Sequence, residues 1–88
     1  MRYTRFNKGG HFQLDSVIVG HVLQKFREQK KLSQELVSAF AGIGRTHLST
    51  IERGERKPTL ETFFKIANAL DVKASVIMAA IEEALPQD

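Results

Sequence analysis

With 88 residues, 42% of them hydrophobic, the chain supports one modest core and leaves no room for a separate catalytic domain. Cysteine is absent, which excludes a disulfide framework and thiolate metal sites and agrees with a reducing, cytoplasmic location. The net charge is only +3, and the early apolar run Val17-Ile18-Val19 is far shorter than the roughly 20 residues that span a bilayer, so no membrane association or signal peptide is expected.

The charge is unevenly placed, and that says more than its total. Arg2, Arg5 and Lys8 open the chain with no acid among the first 14 residues, whereas after Lys57 two bases face five acids. A basic front suits a polyanionic partner, and an acidic tail suits a task away from it, such as dimerisation.

Residues 1 to 15 are assigned to an N-terminal arm. Two β-prone runs, Tyr3 to Phe6 and His11 to Leu14, flank the turn-like Asn7-Lys8-Gly9-Gly10. A hairpin, a basic arm and an unordered terminus are all compatible with these residues. Asp15 or Ser16 then caps a first helix, in which Val19, Val22, Leu23 and Phe26 form an amphipathic stripe up to Lys30. Lys25, Lys30 and Lys31 solvate its other face and its end.

Ser33 is suited to cap a second helix, with Glu35 in its first turn and Val37, Phe40 and Ala41 at helical spacing. Gly42 closes that helix in the left-handed conformation, and Ile43 plugs the gap before another segment begins near Gly44 or Arg45. In this third segment only Leu48 and Ile51 are large and apolar. They share one face, which leaves Arg45, Thr46, Ser49 and Thr50 pointing largely elsewhere, until Gly54 ends the helix.

The charged loop Glu55-Arg56-Lys57-Pro58 follows, and Thr59 caps a fourth helix whose apolar face is read as Leu60, Phe63, Phe64, Ala67 and Leu70. Both phenylalanines are expected in the core, because a base-stacking platform needs solvent-facing aromatics. Asp71-Val72 breaks the pattern. A fifth helix over about 73–85 carries Val76, Ile77, Ala80, Ile81, Ala84 and Leu85, with Met78 and Ala79 beside them, more apolar surface than one face requires. This is the predicted dimerisation helix.

A short helix, a glycine turn and a second helix crossing the first match the helix-turn-helix layout, predicted here over about 33–53. Ser33-Gln34-Glu35, Gly42-Ile43, Leu48-Ser49, Ile51-Glu52-Arg53-Gly54, Lys57-Pro58-Thr59-Leu60 and Ile66-Ala67-Asn68-Ala69-Leu70 together resemble the lambda-repressor-like (Cro/repressor, XRE-type) DNA-binding domains. The likeness covers roughly residues 16 to 77. It implies an all-α, five-helix fold over residues 16–85, with the third helix as the reading head in the major groove. It also implies that Arg27 pairs with Glu52, that Gln34 touches the DNA backbone, and that positions 45, 46 and 50 read bases. Three positions depart from the family pattern: Gly44 stands where Ser or Thr usually caps the reading helix, Ser38 replaces an alanine, and Val37 a leucine.

Chemistry extends this assignment. The amides at Ser33 and Gln34 form an anion site for one phosphate. Arg45 carries a planar fork suited to guanine O6 and N7, with Thr46, Ser49 and Thr50 as further base contacts. His47, Arg53, Arg56 and Lys57 are assigned to phosphates, which set register without reading sequence. The expected function is a sequence-specific double-stranded DNA-binding transcriptional regulator, a small repressor on a palindromic operator. A homodimer is expected because specific sites generally need two half-sites about 34 Å apart.

The alternative is a protein-interaction module, such as an antitoxin or regulator-binding adaptor, with incidental DNA binding. An enzyme is not expected: His11, His21 and His47 lack metal-ligand spacing, and no nucleophilic triad or phosphate loop occurs. No cofactor or metal is implied.

Overall fold

A computed structural model describes residues 12–86, and residues 1–11, which hold most of the predicted arm or hairpin, lie outside the described part. Five helices and no strand occupy the described residues: α1 (Ser16–Gln29), α2 (Gln34–Ala41), α3 (Arg45–Glu52), α4 (Leu60–Leu70) and α5 (Ala74–Ala84). The fold of the described residues is all-α, as the resemblance implies.

The helix starts follow from local hydrogen bonding. Asp15 caps α1 by accepting from the Val17 amide at 2.9 Å, Ser33 caps α2 by accepting from Leu36 at 3.0 Å, and Thr59 caps α4 by accepting from Thr62 at 3.1 Å. Gly44 begins α3 with extended backbone and no side-chain hydrogen bond. Each of the four connections contains one left-handed residue: Lys31, Gly42, Gly54 and Asp71. Glycine makes two of these reversals readable in sequence. At Lys31 and Asp71 the strained conformation is held by the closing amide bonds instead, from Leu32 to the Arg27 carbonyl at 3.2 Å and from Val72 to the Ala67 carbonyl at 3.1 Å.

α2 packs on α4, α1 on both α3 and α5, and α3 on α2. Between them Leu23, Val37, Leu48, Ile51, Ile66, Leu70 and Ile77 are fully enclosed. Burying each such side chain stabilises the fold by about 1.5–3 kcal/mol.

Three predicted core residues are outside this core. Phe40 is 64% exposed, Leu60 66% and Phe64 49%. The inward stripe of α4 is Phe63, Ile66, Ala67 and Leu70. Phe64 lies one residue, or about 100° of rotation, away from Phe63 and so faces outward. On α2 the same rotation separates Phe40 from buried Ala41. The expectation that both phenylalanines of α4 are core therefore holds for Phe63 alone. In α5, Ile77 and Ile81 point inward and Leu85 is buried just beyond, whereas Val76 and Met78 are exposed.

Candidate nucleic-acid interface

α3 has two unlike sides. Leu48 and Ile51 have no exposed surface and anchor its inner side to the core. Behind them α1 approaches so closely that a Cβ at Gly20 would lie 2.2 Å from the Ile51 carbonyl oxygen and 2.7 Å from that of Glu52. Only glycine permits this crossing. A glycine inside a helix is disfavoured by about 1 kcal/mol relative to alanine, which was the available signal that Gly20 has a packing role.

The carboxyl end of α3 is held by a charged network. Arg27 Nε and Nη2 donate to Glu52 at 2.7 and 2.9 Å, Arg27 Nη1 donates to the Leu32 carbonyl at 2.9 Å, and Gln34 Nε2 donates to Glu52 Oε1 at 2.9 Å. The Arg27 and Glu52 side chains are 13% and 3% exposed, so the pair is enclosed and its polar atoms are met by partners. The hydrogen bonds to Glu52 raise the Arg27 pKa against the opposing effect of burial. The network joins α1, α2 and α3 through one carboxylate.

Just beyond α3, Ser16 Oγ donates to the Gly54 carbonyl at 2.8 Å. Gly54 has φ of 79°, and a Cβ there would sit 2.7 Å from the Val17 Cα. The end of the helix is thereby set against the start of α1.

The outer side presents the predicted readers. Arg45 and Thr46 are exposed, while His47, Ser49 and Thr50 are half-buried. Thr50 Oγ1 donates to the His47 carbonyl at 2.7 Å, which leaves its lone pairs as acceptors. Ser49 accepts from Arg53, whose guanidinium also donates to Glu55 at 2.9 and 3.2 Å. Arg56 and Lys57 are exposed.

On the flank, Ser33 spends its hydroxyl on the α2 cap. Gln34, expected from the resemblance at the DNA backbone, turns its side-chain amide inward to Glu52 and leaves its main-chain amide at the helix start. Gln34 in the Arg27–Glu52 network and the Arg53–Ser49–Glu55 cluster are features that the sequence reading missed. Both depend on side-chain direction rather than on spacing.

Among the described residues no cluster of three or more metal-ligating side chains occurs, and no helix is long and apolar enough to cross a membrane. A buried inner stripe, a left-handed glycine turn and a polar outer face on the second of two crossed helices define a helix-turn-helix domain.

A helix-turn-helix family profile matches residues 23–77. The uncharacterized HTH-type transcriptional regulator y4dJ of Sinorhizobium fredii is 36% identical over 66 residues, which cover 75% of this chain and 86% of the relative. The immunity repressor protein of Bacillus phage phi105 is 34% identical over 60 residues, 68% of this chain but only 42% of that longer protein. Among solved structures, the restriction-modification controller protein C.AhdI of Aeromonas hydrophila superimposes with a TM-score of 0.70 at 34% identity, covering 74% of this chain and 98% of that one. The chain belongs to the XRE-type helix-turn-helix family of DNA-binding transcriptional regulators, which is not a family of enzymes.

Proposed function

We propose that the chain is a small cytoplasmic repressor that binds a palindromic operator as a homodimer, reading bases with Arg45, Thr46, Ser49 and Thr50. The observation that carries this reading is the outer face of α3. Leu48 and Ile51 are wholly buried, yet Arg45 and Thr46 stand in solvent on the same helix. Arg45 reaches guanine through two parallel hydrogen bonds. The main-chain amides at Ser33 and Gln34 grip a phosphate at the groove edge, and His47, Arg53, Arg56 and Lys57 meet others. Exposed Val76 and Met78 on α5 supply the surface for the second copy.

Selection of bound duplexes from a random pool, followed by binding measurements on two variants, tests the assignment. Arg45→Ala is expected to weaken the selected site by about 1–3 kcal/mol and to relax preference at one base pair. Lys57→Ala is expected to weaken all sequences alike and to lower the salt slope by about one. Equal, sequence-blind losses would show that the roles are wrongly assigned. Analytical ultracentrifugation of Met78→Glu tests the dimer, which should dissociate; an unchanged dimer places the interface elsewhere.

A second reading, a module that binds another protein, is favoured by Leu36, Phe40 and Phe64, three large apolar side chains exposed on the packed pair α2 and α4. A chain that selects no duplex at moderate salt in the presence of competitor would support it.

A further inference from the structure

We propose that Glu55 restrains the DNA-facing surface at the end of α3: it holds Arg53 in the free protein and places a negative charge beside the arginine assigned to phosphate. The proposal rests on the DNA-reading role of α3 stated above and concerns how tightly that face grips a duplex.

All three nitrogens of the Arg53 guanidinium are engaged. Nε and Nη2 donate to the two Glu55 carboxylate oxygens at 2.9 and 3.2 Å, and Nη1 donates to Ser49 Oγ. The hydrogen bonds from Arg53 hold the Glu55 carboxyl below the usual carboxylate range, so the pair is ionised at neutral pH. Ser49, assigned to a base edge, is thus tied to an arginine assigned to a phosphate. The carboxylate binds that arginine first.

The backbone sets this arrangement. The amide of Gly54 donates to the Ile51 carbonyl and that of Glu55 to the Thr50 carbonyl, each at 3.0 Å, and Gly54 takes the left-handed turn at φ of 79°. These bonds close the end of α3 and place Glu55 directly beside it. The other acid at this helix end, Glu52, is turned inward to Arg27 and Gln34 and does not compete for Arg53.

The pair is weak enough to be exchanged. Its side chains are 51% and 59% exposed, and ion pairs in such surroundings contribute little. A phosphate can therefore take Arg53 from Glu55, but the carboxylate left behind then repels the same backbone. This cost falls on random DNA and on the right site alike, because Arg53 leaves Glu55 in both complexes. Glu55 thus lowers affinity for any duplex and leaves the preference between sequences to the base contacts.

The test uses the full chain with Glu55→Gln, measured by fluorescence anisotropy on a random-sequence duplex and on the duplex selected from a pool, across a salt series. The variant is expected to bind random DNA about 3- to 10-fold more tightly, with a salt slope steeper by about one. The selected duplex should gain as much, so the ratio between the two is unchanged.

In an Arg53→Gln background the effect of Glu55→Gln should shrink, because the latch has already lost its arginine. Unchanged or weaker binding to random DNA, with helical circular dichroism intact, would overturn the proposal. So would tightening confined to one of the two duplexes, or an effect undiminished in the Arg53→Gln background. If the parent chain binds DNA and Lys57→Ala weakens it while Glu55→Gln does nothing, only this inference fails. If the parent chain binds neither duplex, the DNA-reading role fails with it.

Discussion

At its carboxyl end α3 meets Gly20 of α1, the Arg27–Glu52–Gln34 network and the Ser16–Gly54 hydrogen bond. At its amino end Gly44 offers no capping side chain, and a methyl group there would meet open space. One end is fixed by side chains of α1 and α2; the other starts without a side-chain cap. Gly44, a departure from the family pattern, places that uncapped start beside Arg45.

Gly20→Val should have the largest effect on this contrast. Its branched side chain would have to enter the backbone of α3, and a loss of more than about 4 kcal/mol is expected in urea denaturation. A loss below about 1 kcal/mol would show that α1 and α3 can separate without cost.

Arg27→Ala comes next, at about 3 kcal/mol, because it leaves the Glu52 carboxylate enclosed with only Gln34 for company. Replacing both partners, as Arg27→Met with Glu52→Met, should recover most of that loss while DNA affinity stays low, since the apolar pair packs but does not orient the helix end. Full recovery of DNA binding in the double variant would mean that the network stabilises α3 without aiming it.

The smallest change is expected at the open end. Gly44 has φ of −70° and ψ of 147°, a backbone that serine adopts readily, so Gly44→Ser should stabilise the domain by a few tenths of a kcal/mol, about 0.3. Thermal unfolding measures that gain. If DNA binding by Gly44→Ser is tighter as well, the missing cap costs affinity; weaker binding would indicate that the uncapped start serves the DNA contact.

Local chemistry made much of this molecule legible. Ser33 and Thr59 cap their helices, Gly42 and Gly54 turn left-handed, and Val19, Val22 and Leu23 face inward as their spacing indicates. The Arg27–Glu52 pair followed from the family resemblance rather than from the residues themselves. Capping, turn formation and helical period depend on neighbours within a few positions, so one chain suffices to read them.

The sequence by itself determined the run of helices that begins at Ser16 and the glycine turn between two short ones, because those signals are written within single turns of backbone. Only the tertiary structure decided that Phe40, Leu60 and Phe64 face outward, that Gln34 turns to Glu52, and that Gly20 lets α1 reach α3. The latch of Arg53 on Glu55 and Ser49 spans few residues, yet it too depended on how the end of α3 closes. The physical reason is that which face of a helix is buried, and which polar atom finds a partner, is settled by surfaces brought together from distant parts of the chain.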